Sequence, residues 1–219
     1  MNTRNPRANG DSALDPESQI TLGMLSAVED NSAVTQRALA HDLDIALGLA
    51  NAYLKRCIKK GFIKITTAPA NRYAYYLTPQ GFAEKSRLTA RYLSISFNFF
   101  RSARSECEAL FAICAERHWN RVALYGAGDL AEIATLCVGA GAVRLVGVVD
   151  PTFAQAEFAQ LRAFRALADA GPLDALVLTD FRAPQEAFDA LRVQFPEERI
   201  LAPGFLKISR APTIMEGRE

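Results

Sequence analysis

The stretch ALYGAGDLAEIA, residues 123–134, has the residue types and spacing of a phosphate-cradling turn. Gly126, Gly128 and Ala131 fit the pattern G-x-G-x-x-A where an apolar strand runs into a helix. In that pattern the first glycine permits a tight turn, the second lets backbone approach a phosphate, and the small third residue brings helix and strand together. The first turn of the helix, with Asp129 and Leu130, offers N–H groups to an anion. Asp150 ends the next strand, 22 residues beyond Gly128, where a carboxylate would meet ribose hydroxyls. Thr179 and Asp180, with Arg182 close behind, follow a third apolar strand at the same edge and are expected to line the pocket. The ligand this chemistry suits is a nucleotide, a nucleotide-sugar or NAD(H), acting as a small-molecule effector. Asp129 argues the other way, because its charge opposes a pyrophosphate unless the side chain points away or caps the helix. A domain that takes a different small ligand, or serves only as a structural partner, therefore stays open beside the nucleotide reading.

Other chemistry finds less support. The two histidines, His41 and His118, stand far apart, and Cys57, Cys107, Cys114 and Cys137 form no CxxC pair, so no zinc site is expected. Cys107 and Cys114 are seven apart on a helical stretch and share a face, either as small buried hydrophobes or as a redox-sensitive pair. No serine elbow or second substrate domain is visible, and no catalytic residue is nominated.

These groups must be positioned by elements that 219 residues, half of them hydrophobic, can build. That length suits two small domains with separate cores. No apolar run is long enough to span a bilayer, and residues 1–18 lack a hydrophobic signal core, which predicts a cytoplasmic protein with a disordered leader over residues 1–16. The net charge of +1 hides an asymmetry. From Ser32 to Ser105 there are twelve basic residues against three acidic, whereas from His118 onward there are ten basic and thirteen acidic. A concentrated basic field is the footprint of a nucleic-acid binder.

Ile20, Leu22, Leu25 and Val28 recur at helical spacing and predict a first helix. Thr35 is placed to cap a second, and a turn at Asp44 leads to a third over residues 45–61, stopped by Gly61. Alternation over residues 62–66 and 73–77 around the turn APAN predicts a hairpin. Three helices and a hairpin make a winged helix-turn-helix, whose partner is double-stranded DNA. Ile45, Ala50, Leu54, Cys57 and Ile58 would face the core, so Leu47, Gly48, Asn51 and Lys55 would face the major groove, with Asn51 suited to pair with adenine. Gln36, Arg37, Lys55, Lys59 and Arg72, the last at the wing, are expected to bind phosphates.

The run TQRALAHDLDIALGLANAYLKRCIKKGFIKI, followed by YYLTPQGFAEKSRLTARYL, resembles the MarR-type winged-helix regulators associated with exopolysaccharide biosynthesis. The likeness extends over residues 17–100, and its most specific piece is the Leu-Thr-Pro-x-Gly turn at residues 77–81. It implies a transcription factor acting on surface polysaccharide genes.

From Pro79 the chain holds no proline or glycine after Gly81 until residue 126, and one long helix over residues 79–117 is expected. Tyr92, Phe97, Phe99 and Phe100 load it with aromatics, either packed onto the chain's own domains or forming the seam of a homodimer. Strands and helices then alternate over residues 118–209, predicting a small Rossmann-like parallel sheet with helices on both faces, before a tail over residues 210–219. Within it a helix is expected over residues 129–140, and residues 153–170 are ambiguous, with a weak strand at QLRAF and a helix at RALADAG. The fold class is thus α/β plus winged helix, a layout that also resembles NADH-sensing repressors. The leading reading is a dimeric, ligand-responsive DNA-binding regulator. The competing one is a small nucleotide-sugar or NAD-dependent enzyme with an accessory winged helix.

Overall fold

The computed structural model describes residues 14–68, 72–139 and 143–210, and the chain forms two compact units that divide between Phe99 and Phe100, inside one long helix. The helix therefore contributes residues to both units. The expected leader, apart from its last three residues, the wing-tip residues 69–71, Ala140 and the tail beyond Arg210 lie outside the described residues. No described helix is long and apolar enough to cross a membrane.

The N-terminal unit contains α1 (Pro16–Asp30), α2 (Gln36–Asp42), α3 (Leu47–Lys59), β1 (Ile63–Ala68), β2 (Arg72–Leu77) and the first part of α4 (Pro79–Glu116). The first helix starts at Pro16, one residue before Glu17, with Asp15 as its cap. Leu14 is buried, and the Asp15 carboxylate accepts hydrogen bonds from the Ser18 N–H at 2.9 Å and the Ser18 hydroxyl at 2.7 Å. Pro16 follows in the first turn, where its missing N–H costs nothing. Thr35 caps α2, its hydroxyl accepting from the Ala38 N–H at 3.1 Å. Asp44, at φ 50°, makes the left-handed turn into α3, and Gly61, at φ +73°, ends the run after it. Met24, Leu25, Val28, Leu39, Leu54, Cys57, Ile63 and Tyr75 form the core. Full burial of each large aliphatic side chain here contributes about 1.5–3 kcal/mol.

The Leu-Thr-Pro-x-Gly turn has a mechanical purpose. The Thr78 hydroxyl donates to the Gly61 carbonyl at 2.5 Å and accepts from the Gly81 N–H at 3.0 Å, so one side chain starts α4 and ties it to the base of the wing. A Cβ on Gly81 would lie 2.0 Å from the Phe62 carbonyl oxygen, so only glycine allows the helix to pass so near β1.

The C-terminal unit is a six-stranded sheet in the order β5-β6-β4-β3-β7-β8, with β3 (Arg121–Tyr125), β4 (Arg144–Val149), β5 (Glu157–Phe158), β6 (Leu161–Phe164), β7 (Ala175–Leu178) and β8 (Ile200–Leu201). Five strands are parallel, but β5 pairs antiparallel with β6, so the sheet is mixed and the expectation of a purely parallel one is corrected. The expected helix at RALADAG is a single 3-10 turn, Leu167–Ala170. No helix covers the β4-to-β6 connection. Alternation buries both faces: Val122, Leu124 and Val177 pack against the C-terminal part of α4 and α5 (Asp129–Cys137), while Ala123, Leu176 and Leu178 pack beside α6 (Pro184–Arg192). The part of α4 in this core supplies Ala103, Cys107, Phe111 and Cys114.

Candidate nucleic-acid interface and C-terminal cleft

In the N-terminal unit the helix spacing of α3 sorts its side chains. Ala50, Leu54 and Cys57 are buried, while Leu47, Gly48, Leu49, Ala52, Lys55, Arg56 and Lys59 are exposed. Asn51 departs from expectation. It lies on the flank of the helix, half-buried, with its side-chain oxygen enclosed and without a hydrogen-bond partner. Its side-chain oxygen therefore does not project outward as an acceptor for a base edge should. Ala52, one position on, occupies the open face, and the rotation of 100° per residue that separates them is the signal that locates it.

The basic field also narrows. Arg56 pairs with Glu17 at 2.7 Å and lies over the Tyr53 ring, Lys60 sits 3.9 Å from the same carboxylate, Lys85 pairs with Glu29, and Arg87 with Glu84. Glu17 and Glu29 lie just outside the window over which the sequence looks most basic. Among the described residues, Lys55 and Lys59 on α3 and Arg37 at the start of α2 are exposed and have no ion pair, and Gln36 is exposed beside Arg37. The side chain of Arg72 lies outside the described residues.

In the C-terminal unit the glycine turn, Asp150 and the loop after β7 do come together, at the carboxyl ends of β3, β4 and β7. A cleft of about 190 Å³ lies among Tyr125, Gly126, Asp150, Thr152, Arg182 and Glu186. Its polar groups are, however, engaged with one another. Asp150, 4% exposed, accepts from the Ala127 N–H at 2.9 Å, from the Thr152 N–H at 2.8 Å and hydroxyl at 2.7 Å, and from the Arg182 guanidinium at 3.3 Å. Burial pushes the Asp150 carboxyl up, but these donors outweigh it and hold the group below the usual carboxylate range. The Tyr125 phenol is raised, first by burial and then by the charges of Asp150 and Asp180.

The remaining expected ligand residues divide. Thr179 is buried, its hydroxyl 2.7 Å from the Gly126 carbonyl and 3.0 Å from that of Tyr125, so it braces the turn and does not line the cleft. Asp180 lines the cleft as expected, and it also accepts from the backbone N–H groups of Arg182 at 2.8 Å and Ala183 at 3.3 Å, shaping the approach to α6. The Leu130 side chain is buried, which leaves only its N–H for a ligand, whereas Asp129 is exposed on the first turn of α5. Gly126, at φ +103°, is required twice over, since a Cβ there would sit 2.5 Å from the Asp180 nitrogen. Gly128 is extended, and a Cβ there would meet nothing within 4 Å. Thr152 was not foreseen, although the Asp-Pro-Thr sequence that lets a side chain fold back onto a carboxylate is a turn signal.

All four cysteines are buried and free. Burial pushes the thiols of Cys57 and Cys114 up to about 11 and that of Cys107 up to about 12, and raises Cys137 as well. Thiols this reluctant to ionise are poor nucleophiles. Among the described residues no group of His, Cys, Asp and Glu is arranged to hold a metal ion.

Residues 17–64 match the winged helix-turn-helix DNA-binding family. Among solved structures the chain is similar to MepR, a transcription regulator of the Staphylococcus aureus multidrug efflux pump MepA, with 21% identity over 38% of this chain and 62% of that one, and a TM-score of 0.34. The S. aureus MepR–DNA complex is similar at 21% identity over 39% of this chain and 62% of that one, TM-score 0.34. The PcaV transcriptional regulator from Streptomyces coelicolor, in complex with its natural ligand, is similar at 18% identity over 48% of this chain and 74% of that one, TM-score 0.35. The chain spans less than two thirds of the length of the MepR structures, 62% in each. No protein of curated function matches the chain.

Proposed function

We propose that this chain is a MarR-type DNA-binding transcriptional regulator that acts as a homodimer in the cytoplasm. The observation that carries the DNA-binding part is the outward face of α3. It presents Lys55 and Lys59 without ion pairs among the described residues, inside a segment matching a DNA-binding winged helix-turn-helix. The apolar middle of α4 supports the dimer. Tyr92, Leu93 and Phe97 are exposed, Phe97 by 57%, and a second copy is the partner whose two-fold symmetry a DNA operator can mirror. Footprinting the full chain on DNA flanking its own gene should reveal a two-fold symmetric protected site. Absence of protection would remove the regulator reading. Surface polysaccharide genes are the targets that the family resemblance implies. Phe97→Glu should yield a folded monomer in light scattering and circular dichroism, and a folded variant that stays dimeric would contradict the seam.

The C-terminal unit we read as Rossmann-like and as the sensor of a nucleotide or nucleotide-sugar, NAD(H) included. Support comes from the order of its parallel strands, in which the chain leaves β3 for β4 on one side and later for β7 on the other, with Gly126 and Asp150 at that switch. The cleft of about 190 Å³ suits a ribose and not a whole dinucleotide. The ligand would thus enter by its ribose, displacing Arg182 from Asp150, with the rest lying over the open space at Gly128. A specific observation favours a second reading, a purely structural partner: Asp150 and Thr179 already have internal hydrogen-bond partners. Calorimetric titration with NADH, NAD, common nucleotides and UDP-sugars separates the two. Binding that Asp150→Ala weakens is the expected result, and no heat from any compound would leave the structural reading.

A further inference from the structure

The start of α3 lacks hydrogen-bonding side chains. Residues 46–50 are Ala, Leu, Gly, Leu and Ala, and Leu47 and Leu49 stand 44% and 43% exposed. Between them Gly48 leaves open space, since a Cβ there would meet nothing within 4 Å. Leu47 and Leu49, two positions apart, project to either side of the outward face, near whose centre lie Gly48 and, a turn further on, exposed Ala52. Single exposed leucines are ordinary on protein surfaces. These stand where a helix-turn-helix brings its second helix, N-terminus first, against base edges. Lys55 and Lys59, one and two turns further along, give the same face the charge that phosphates require. Asn51, the polar residue nearest this end of α3, has its carbonyl oxygen enclosed. The outward side chains at this end of α3 are therefore apolar, and the apolar mark on a major-groove edge is the C5 methyl group of thymine.

We propose that α3 selects DNA by packing Leu47, Leu49 and Ala52 against thymine methyl groups, with Gly48 letting the helix backbone come close to the base edges. The proposal rests on the DNA-binding reading above and adds the feature of the sequence that is read. The full chain is used to select duplexes from a random-sequence pool. The tightest duplex is then resynthesised with deoxyuridine in place of thymidine, one position at a time, which removes a methyl group and leaves base pairing intact. Affinity, read by fluorescence anisotropy, should fall about fourfold for each contacted methyl lost, the worth of one buried methyl-sized group. Leu47→Ala and Leu49→Ala, both at exposed positions, should weaken binding to the thymine duplex while shrinking its advantage over the uracil duplex. Equal affinity for thymine and uracil duplexes, or binding of the pool with no enrichment of thymine, would overturn methyl readout and leave the DNA-binding reading standing. Failure to bind any duplex would remove both.

Discussion

The outward face of α3 and the cleft beside Gly126 both bear residues that a sequence reader nominates for binding, yet their polar groups are in opposite conditions. On α3 the cations Lys55 and Lys59 project into solvent without ion pairs among the described residues. In the cleft the Asp150 carboxylate has four donors, and behind the glycine turn the Thr179 hydroxyl has two carbonyls within reach. A free charge at a surface retains its interaction energy for a partner. A satisfied buried charge has already spent it on the fold, and a ligand must break those bonds before making its own. The two regions thus differ in how much a ligand has to displace.

The largest expected effects test that contrast at glycines. Gly126→Ala puts a Cβ into the Asp180 backbone at a positive φ, and Gly81→Ala puts one into the Phe62 carbonyl. Each should destabilise its own unit by about 3 kcal/mol or more. The single tryptophan, Trp119, packs on the C-terminal core, so its fluorescence reports that unit. Gly126→Ala should shift the fluorescence-detected urea transition, whereas Gly128→Ala, with open space around it, should shift it by less than about 0.5 kcal/mol. A large effect at Gly128 would mean that the turn is closed.

A smaller effect is expected at Asp150. Its folded carboxyl is held below the usual range, so the stabilisation is full above the unfolded value of about 4 and is lost as pH falls through the depressed folded value. Asp150→Asn should cost about 1–3 kcal/mol at neutral pH, and the gap from wild type should narrow below about pH 4. A gap that ignores pH would show that the charge itself contributes nothing. Smallest of all should be the response of the thiols to alkylation at neutral pH. Buried Cys57, Cys107, Cys114 and Cys137 should stay unmodified in the folded protein and react once it is unfolded in urea. Rapid native labelling of Cys107 or Cys114 would revive the redox reading.

How much of this was legible follows from the period of each element. In the N-terminal unit α3 has a clear 3.6 periodicity, with Ala50, Leu54 and Cys57 buried, and Thr35 and Gly61 mark helix ends with residues suited to those places. The Asp15-Pro16 pair marks the start of α1 with a cap and a first-turn proline. Residues 153–170 are ambiguous because β5 and β6 have two and four residues, too short for any period, and RALADAG forms one 3-10 turn where an isolated window favours a helix. At the candidate sites, residue types were readable but their partners were not. That Asp150 would draw donors from Ala127 and Arg182, and that the Asn51 side-chain oxygen would be enclosed, depends on packing between segments, which no local pattern displays.

The central claim is that the exposed cations of the N-terminal unit neutralise DNA phosphates. The most direct measurement is the salt dependence of the full chain's affinity for a mixed-sequence duplex, for wild type and for Arg37→Ala, Lys55→Ala and Lys59→Ala. Log affinity should fall linearly with log salt, and each substitution should weaken binding and flatten the slope by about 0.9. Undiminished affinity and an unchanged slope in the triple variant would contradict the account.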